Sequence, residues 1–133
     1  MKIAVVGAHL SGQPLNGQLT QRGAGLVRTA KTANVYRLYA LANTTPAKPG
    51  LIRTNEPASS GIEVEIWELP TEEVGSFMDL IPAPLSIGTL ELSDGDCVKG
   101  FLVESCAVAP GGGAQEITAL GGWRNYLKTL RST

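Results

Sequence analysis

Residues 61–69 read GIEVEIWEL, and this stretch decides the fold class more than any other part of the chain. Apolar and acidic side chains alternate along it, with Ile62, Val64 and Ile66 set against Glu63 and Glu65. A period of two is typical of a β-strand with one face on a core and the other in water. Solvated carboxylates are therefore the favoured interpretation of the two glutamates, ahead of a role as general acid or base.

Short strands and turns are predicted on the N-terminal side of this segment. Lys2–Val6 is a β-branched run that ends at a glycine, which indicates a buried first strand leading into a loop. Residues 15–23 predict one or two helical turns in that loop. Gly25–Leu41 predicts two strands with a turn at Lys31–Asn34, because β-branched and aromatic residues are frequent in it. Asn43–Gly50 is predicted to break regular structure.

Two helices are predicted on the C-terminal side. Thr71–Ile81 has apolar residues at i, i+3, i+4 and i+7, with Thr71 as the expected N-cap and Pro82 as the stop. The second helix, Trp123–Leu130, is expected to pack on the sheet through its apolar residues.

A hairpin completes the predicted elements. Its strands are Ile87–Leu92 and Cys97–Glu104, joined by Asp94-Gly95, a pair that suits a type I′ turn. The resulting order is β, β, β, β, α, β, β, α, with most strands adjacent in sequence. This order predicts one α+β domain over residues 1–133, built as a small mixed or antiparallel β-barrel with flanking helices. A doubly wound α/β fold is disfavoured.

Charge and hydropathy restrict the expected partners. The chain has 11 Lys+Arg and 12 Asp+Glu and no block of like charges, so neither a nucleic acid nor an anionic membrane is an expected partner. Only four consecutive apolar residues precede Gly7, too few for a signal peptide or a membrane span, and a cytoplasmic protein is expected.

Metal and cofactor chemistry has no clear signature in the sequence. Cys97 and Cys106 lie nine residues apart, which fits neither a zinc site nor a disulfide scaffold, and both are predicted to be buried thiols. No second histidine accompanies His9, and the glycines of Pro110–Gly113 lack the Lys-Ser/Thr pair of a phosphate loop. We therefore expect no metal and no cofactor.

His9 is the only histidine, and it follows the first strand among small residues. Backbone N–H groups near Gly7, Ala8 and Gly12 can approach an anion closely, which favours a proton-transfer role in a pocket. The alternative is a structural imidazole that is hydrogen-bonded to a carbonyl or to Asn16 and pins the loop. Lys48 has two similar interpretations, either a ligand for a carboxylate or a solvated loop lysine.

Six motifs occur in the same order as in one known family: VVGAHLSGQPLNGQL, YRLYAL, KPGL, IPAPLSIGTLEL, VKGF and GGWRNYL. From Lys2 to about Leu130 the chain resembles the C-terminal domain of allophanate hydrolases. That resemblance implies a γ-glutamylcyclotransferase-like fold. It also implies action on N-carboxycarbamate or a similar small dicarboxylate, in the decarboxylation or hydrolysis step of urea degradation.

The resemblance assigns His9 as the general acid or base. It also implies that the loop from Gly7 to Asn16 binds the carboxylates, and that Tyr39, Lys48 and the turn Pro84–Gly88 line the pocket. The implied substrate-binding residues are Gly7, Ala8, Leu10, Ser11, Gly12, Gln13, Asn16, Tyr39, Lys48, Ile87 and Gly88.

Two departures from related proteins limit what can be transferred. True γ-glutamylcyclotransferases have a Tyr-Gly-x-Leu loop, where this chain has Val6-Gly7-Ala8-His9-Leu10, and Pro82 stands where their catalytic glutamate is expected. Proline cannot transfer a proton, so that chemistry is disfavoured. The amidase half of allophanate hydrolases has no counterpart in these 133 residues.

Three functional hypotheses therefore remain. The first is an enzyme that acts on N-carboxycarbamate. The second is a noncatalytic module that binds an amidase partner or forms homo-oligomers. The third, an altered γ-glutamylcyclotransferase, would gain support from a carboxylate such as Glu65 pointing into the pocket.

Overall fold

The structure is a computed structural model that describes residues 1–131, which form eight β-strands and three short α-helices. The strands are β1 (Lys2–Val5), β2 (Gly25–Lys31), β3 (Tyr36–Ala40), β4 (Pro49–Arg53), β5 (Glu63–Glu68), β6 (Leu85–Glu91), β7 (Cys97–Val103) and β8 (Gln115–Glu116). The helices are α1 (Gly17–Thr20), α2 (Val74–Met78) and α3 (Trp123–Arg131). None of these helices is long and apolar enough to cross a membrane.

The strands form two sheets. The larger sheet has the order β2-β5-β1-β7-β6, in which β1 runs antiparallel to β5 and parallel to β7. The smaller sheet has the order β4-β3-β8 and is antiparallel. The predicted α+β class with a mixed sheet and few helices is therefore confirmed.

The expected closed barrel is not what the described strands form. Strands β3, β4 and β8 pair only among themselves within residues 1–131, so β2 and β6 remain the edges of the larger sheet. These two edges meet at one isolated bridge, between Thr32 and Leu92. Hydrogen bonds from Ser93 N to Lys31 O (2.9 Å) and from Ala33 N to Glu91 O (2.9 Å) flank that bridge. The larger sheet thus curls until its edges touch at one end, without forming a continuous ladder.

Strand β5 lies near the middle of the larger sheet, between β2 and β1. Ile62, Val64 and Ile66 are buried, as the alternating pattern predicts. Glu63 is exposed, but Glu65 is buried, so the prediction of a solvated Glu65 is wrong. The reason is tertiary, because the loop after β1 and helix α3 bind this carboxylate.

The elements around β6 and β7 differ locally from the predictions. The helical segment is shorter than expected, with a 3₁₀ turn at Thr71–Glu73 before α2, and Pro70 rather than Thr71 is the N-cap. The hairpin is confirmed, but only Gly95 in its turn has a positive φ (93°), which excludes type I′. Instead Leu92 O accepts from Gly95 N and Leu92 N donates to Asp96 O, the pattern of a type I turn with a bulge.

Two further sequence predictions are corrected. Strand β4 begins at Pro49, inside the segment expected to be irregular, and its pairing with β3 supplies the hydrogen bonds that the local sequence does not indicate. Cys97 and Cys106 are both exposed free thiols rather than buried ones. Cys97 begins β7 and Cys106 lies in a 3₁₀ turn, so neither faces the core.

Tyr36 joins the two sheets. Its ring is fully buried at the start of β3, and its hydroxyl accepts hydrogen bonds from Glu91 N of β6 (2.9 Å) and Arg53 of β4 (3.3 Å). The two sheets also pack closely where Gly50 of β4 meets Val103 of β7. An added Cβ at Gly50 would lie 2.7 Å from a Val103 methyl group.

The Tyr36→Phe variant is expected to lower the free energy of unfolding by about 1–3 kcal/mol, because it leaves a backbone N–H without its acceptor. Chemical denaturation measures this change. Tyr39→Phe is the matched control, since the Tyr39 hydroxyl makes no hydrogen bond within residues 1–131. Equal stability of the two variants would show that the Tyr36 hydroxyl does not join the sheets.

Candidate functional site

The loop after β1 is held in one shape by its own hydrogen bonds. Leu10 N donates to Gly7 O (3.0 Å) and Leu15 N donates to Ala8 O (2.8 Å). The side chain of Asn16 donates to His9 O (2.9 Å), so it fixes the backbone of His9 rather than its ring. Since β1 lies between β5 and β7, the strand delivers His9 to a fixed position at the edge of the core.

The His9 ring is packed on three sides. The residue is only 7% exposed, and its imidazole stacks on Phe101 with ring centres 4.9 Å apart and meets Phe77 edge-on at 5.4 Å. Nε2–H donates to the amide oxygen of Gln18 in α1 (2.7 Å). Nδ1 makes no hydrogen bond to residues 1–131 and is not fully enclosed, so it is the ring nitrogen available to a ligand.

The surroundings of His9 favour the neutral imidazole. Burial lowers its pKa below 6.5, and the nearby charge of Lys48 lowers it further, while the hydrogen bond to Gln18 opposes both effects. Nδ1 is therefore the unprotonated nitrogen at neutral pH, because Nε2 carries the proton that Gln18 accepts.

His9 faces a cavity of about 20 Å³, large enough for a water molecule. Its lining is Val6, Gly7, Ala8, His9, Lys48, Pro49, Leu85 and Phe101. Glycine is required at position 7, because an added Cβ would clash with the Pro49 ring. This close contact brings β4, and with it Lys48, against the end of β1.

Lys48 is a buried cation that is hydrogen-bonded, within residues 1–131, to backbone oxygens alone. It is 7% exposed, and its Nζ donates to Thr45 O (3.5 Å) and Pro46 O (3.3 Å). Within residues 1–131 no carboxylate pairs with it. A buried charge without a counter-ion is costly unless an anion binds, so this ammonium favours an anionic ligand.

A second cavity, of about 210 Å³, adjoins the first and shares Lys48 and Leu85 with it. Its other walls are Asn43, Thr44, Thr45, Pro82, Ala83 and Pro84. No carboxylate side chain lines either cavity. Lys48 therefore lies between an inner space at His9 and a wider outer space, and its charge is not cancelled in either.

Two residues that line the inner cavity also have unbound backbone N–H groups. The N–H groups of Ala8 and His9 donate to no acceptor within residues 1–131, although both residues line the cavity. Adjacent free N–H groups bind anions well. No group of three or more His, Cys, Asp or Glu side chains within residues 1–131 is placed to hold a metal ion.

The structure brings only some of the expected site residues together. Gly7, Ala8, His9 and Lys48 share the inner cavity, whereas Leu10 packs in the core. The other expected residues lie outside both cavities: Ser11, Gly12, Gln13 and Asn16 along the loop, Tyr39 on β3, and Ile87 and Gly88 on β6.

Two residues at the site were not anticipated from the sequence: Gln18 binds the His9 ring and Phe101 stacks on it. Leu85, which belongs to the turn Pro84–Gly88 expected to line the pocket, lines both the inner and the outer cavity. Phe101 belongs to a family-like motif, VKGF, but nothing in that motif indicates contact with a loop more than 90 positions earlier. Only the pairing of β1 with β7 brings these segments together.

Known proteins are similar in sequence to this chain over nearly its whole length. The family model for the allophanate hydrolase C-terminal domain matches residues 1–128. Urea amidolyases from Lachancea kluyveri and Saccharomyces cerevisiae are 42% and 41% identical over 132 residues. This alignment covers 98% of the chain but only 7% of either relative, so the chain spans a small part of the length of these curated proteins.

Solved structures give the same assignment. The Kluyveromyces lactis urea amidolyase has a TM-score of 0.93 at 40% identity, covering 98% of this chain and 8% of the other. A uropathogenic E. coli-specific protein has a TM-score of 0.85 at 36% identity, and 94% of that chain is covered. An aig2-like protein from Mus musculus, at 21% identity and a TM-score of 0.55, shares the fold alone, as expected for a γ-glutamylcyclotransferase-like domain. From the family match and these relatives, the chain belongs to the allophanate hydrolase C-terminal domain family.

Proposed function

We propose that this chain catalyses the loss of CO₂ from N-carboxycarbamate in urea degradation, with Lys48 as the carboxylate-binding group and His9 as the proton donor. One observation carries the proposal. The buried Lys48 ammonium, which has no counter-ion within residues 1–131, and the desolvated neutral imidazole of His9 line the same cavity. The family and its urea amidolyase relatives link the chain to urea degradation, and N-carboxycarbamate is the substrate that the sequence resemblance implies.

Binding of the substrate uses charges that the protein leaves unpaired. N-carboxycarbamate carries two carboxylates on one nitrogen, and one of them binds the Lys48 ammonium. The free N–H groups of Ala8 and His9 receive the other. Because the inner cavity is small, the substrate extends past Leu85 into the outer cavity.

The chemical step needs one proton. When the bond from nitrogen to one carboxylate carbon breaks, CO₂ leaves and the electron pair remains on nitrogen. That nitrogen takes a proton, so the dianion and one H⁺ give the carbamate monoanion and CO₂. The bound dianion favours the protonated imidazole, and Nδ1–H then donates to the departing nitrogen while Gln18 keeps Nε2–H in place.

A second candidate is a domain that binds an amidase partner or another copy of itself. Leu26 and Val27 of the edge strand β2 are both nearly half exposed, which is consistent with a contact surface. The third candidate, a γ-glutamylcyclotransferase, gains no support, because Glu65 lies outside both cavities.

Turnover tests the enzyme hypothesis. The substrate is generated in situ from ¹³C-labelled allophanate by the isolated amidase part of an allophanate hydrolase, and labelled CO₂ and bicarbonate are followed by NMR. The chain is expected to accelerate their release above the spontaneous rate. His9→Gln is expected to reduce this acceleration about 100-fold or more, as for loss of a general acid. Equal acceleration by His9→Gln and wild type would exclude proton donation by His9, whereas no acceleration by the wild-type chain would exclude the enzyme hypothesis and favour the second candidate.

Malonate binding tests the role of Lys48. Malonate carries two carboxylates in the substrate's arrangement but does not react. Lys48→Met is expected to weaken its binding about 10- to 100-fold, the loss of one charge-assisted hydrogen bond. Lys31→Met is the control, because Lys31 is exposed and lies outside both cavities. Similar malonate affinities for the two variants would contradict the assignment.

The His9 titration is measurable without ambiguity, because the chain has one histidine. NMR of its ring is expected to give a pKa below 6.5 in the free protein and a higher pKa with malonate bound, since the dianion favours the imidazolium. A malonate complex with an unchanged His9 pKa would mean that the dianion does not bind beside this ring.

Folding stability should depend on the same titration. Because the folded-state pKa is lowered, the unfolded chain binds the proton more readily between that pKa and 6.5. The free energy of unfolding is therefore expected to fall as pH drops through this window and to be restored as pH rises above 6.5. Denaturation of His9→Gln should lack this slope, and an identical slope in the variant would assign the effect to another group.

A further inference from the structure

The strongest feature that the proposed mechanism does not use is the buried carboxylate of Glu65. Its side chain is 7% exposed and receives four hydrogen bonds. Oε1 accepts from Ser11 N (2.8 Å) and Trp67 Nε1 (3.1 Å), and Oε2 accepts from Ser11 Oγ (2.8 Å) and Arg124 (3.0 Å). Both carboxylate oxygens are thus bound by protein donors.

Arg124 of α3 completes the cluster by binding the same serine. Its guanidinium donates to Ser11 O (2.9 Å) and Ser11 Oγ (3.1 Å) as well as to Glu65. The backbone N–H, backbone carbonyl and hydroxyl of Ser11 are therefore all held by two charged side chains. We call Ser11, Glu65 and Arg124 the loop clamp.

The hydrogen bonds of the loop clamp fix the backbone at Ser11, two residues after His9. Leu10, which lies between them, is buried in the core, and its N–H is bound to Gly7 O. A rotation of the backbone at Ser11 would therefore move His9 or break the turn that places it. None of the three clamp residues lines the inner or the outer cavity, so none of them can touch a substrate there.

Glu65 is held in its ionised form, which strengthens the hydrogen bonds of the loop clamp. Burial raises the pKa of Glu65, but the hydrogen bonds from Ser11, Trp67 and Arg124 outweigh burial and hold the pKa below 4.5. The carboxylate therefore remains ionised at neutral pH. An ionised acceptor forms stronger hydrogen bonds than a neutral one, which makes the clamp stiff.

We propose that Glu65 and Arg124 are positioning residues for His9: through Ser11 they hold the loop so that Nδ1 faces Lys48 and the inner cavity. This inference rests on the proposed function for its catalytic consequence. Its structural content, the orientation of one imidazole, can be tested separately.

Glu65→Gln is the most direct test, because it preserves shape and removes the charge. Whichever way the amide is oriented, its NH₂ group faces hydrogen-bond donors that the carboxylate accepted. We expect the turnover that depends on His9 to fall about tenfold or more, since misplacement by about 1 Å costs up to ~100-fold. We also expect the His9 ring signals to shift or split and its pKa to move toward 6.5.

Glu63→Gln is the matched control, two residues earlier on the same strand, with an exposed carboxylate outside the clamp. It should leave turnover, the His9 signals and malonate affinity at their wild-type values. Arg124→Gln is the second variant in case Glu65→Gln does not fold, because the Arg124 side chain is one-third exposed and its replacement is less disruptive. It should give the same changes in the His9 signals as Glu65→Gln.

Different outcomes would contradict the proposed function and the positioning role of the loop clamp. If the wild-type chain shows no turnover, the proposed function fails, while the His9 signals of the clamp variants still decide the positioning role. A folded Glu65→Gln or Arg124→Gln protein with wild-type His9 signals, His9 pKa and malonate affinity would overturn the positioning role, even if the variant melts at a lower temperature.

Discussion

A buried carboxylate must find its hydrogen-bond donors inside the protein, and Glu65 finds them on segments that lie far apart in the sequence. Ser11 lies 54 positions before it and Arg124 lies 59 positions after it. This one requirement fixes the loop after β1 and helix α3 to strand β5 of the larger sheet. The position of the site follows, because the same loop carries His9.

The cavity next to that loop contains a buried charge that has no counter-ion among the described residues, unlike Glu65. Glu65 and Arg124 satisfy each other, whereas Lys48 is buried with two backbone carbonyls and no carboxylate partner within residues 1–131. Natural proteins rarely bury a lysine without a counter-ion unless the charge has a use. The contrast between a compensated and an uncompensated buried charge distinguishes the proposed positioning cluster around Glu65 from the proposed binding group, Lys48.

The two sheets have different roles in this arrangement. The larger sheet supplies the fixed frame of β1, β5 and β7. Strand β1 leads into the loop of His9, and Phe101 of β7 stacks on the His9 ring. The smaller sheet supplies Lys48 at the start of β4, and the contact between Gly7 and Pro49 sets its distance from the loop. An open pair of sheets, rather than a closed barrel, leaves the boundary between them free to form the cavity.

Much of this was determined by the sequence alone. Local periodicity and turn residues predicted β1, β5, the β6–β7 hairpin and α3, because these elements bury an apolar face that their own residues encode. The ordered motifs predicted the family, and His9 was identified because a lone histidine follows the first strand. Tertiary structure decided the rest: the burial of Glu65, strand β4, the exposure of both cysteines, the open sheets, and the contacts of Gln18 and Phe101 with His9. Each depends on which distant segment covers a side chain, and that information is absent from any local pattern of residues.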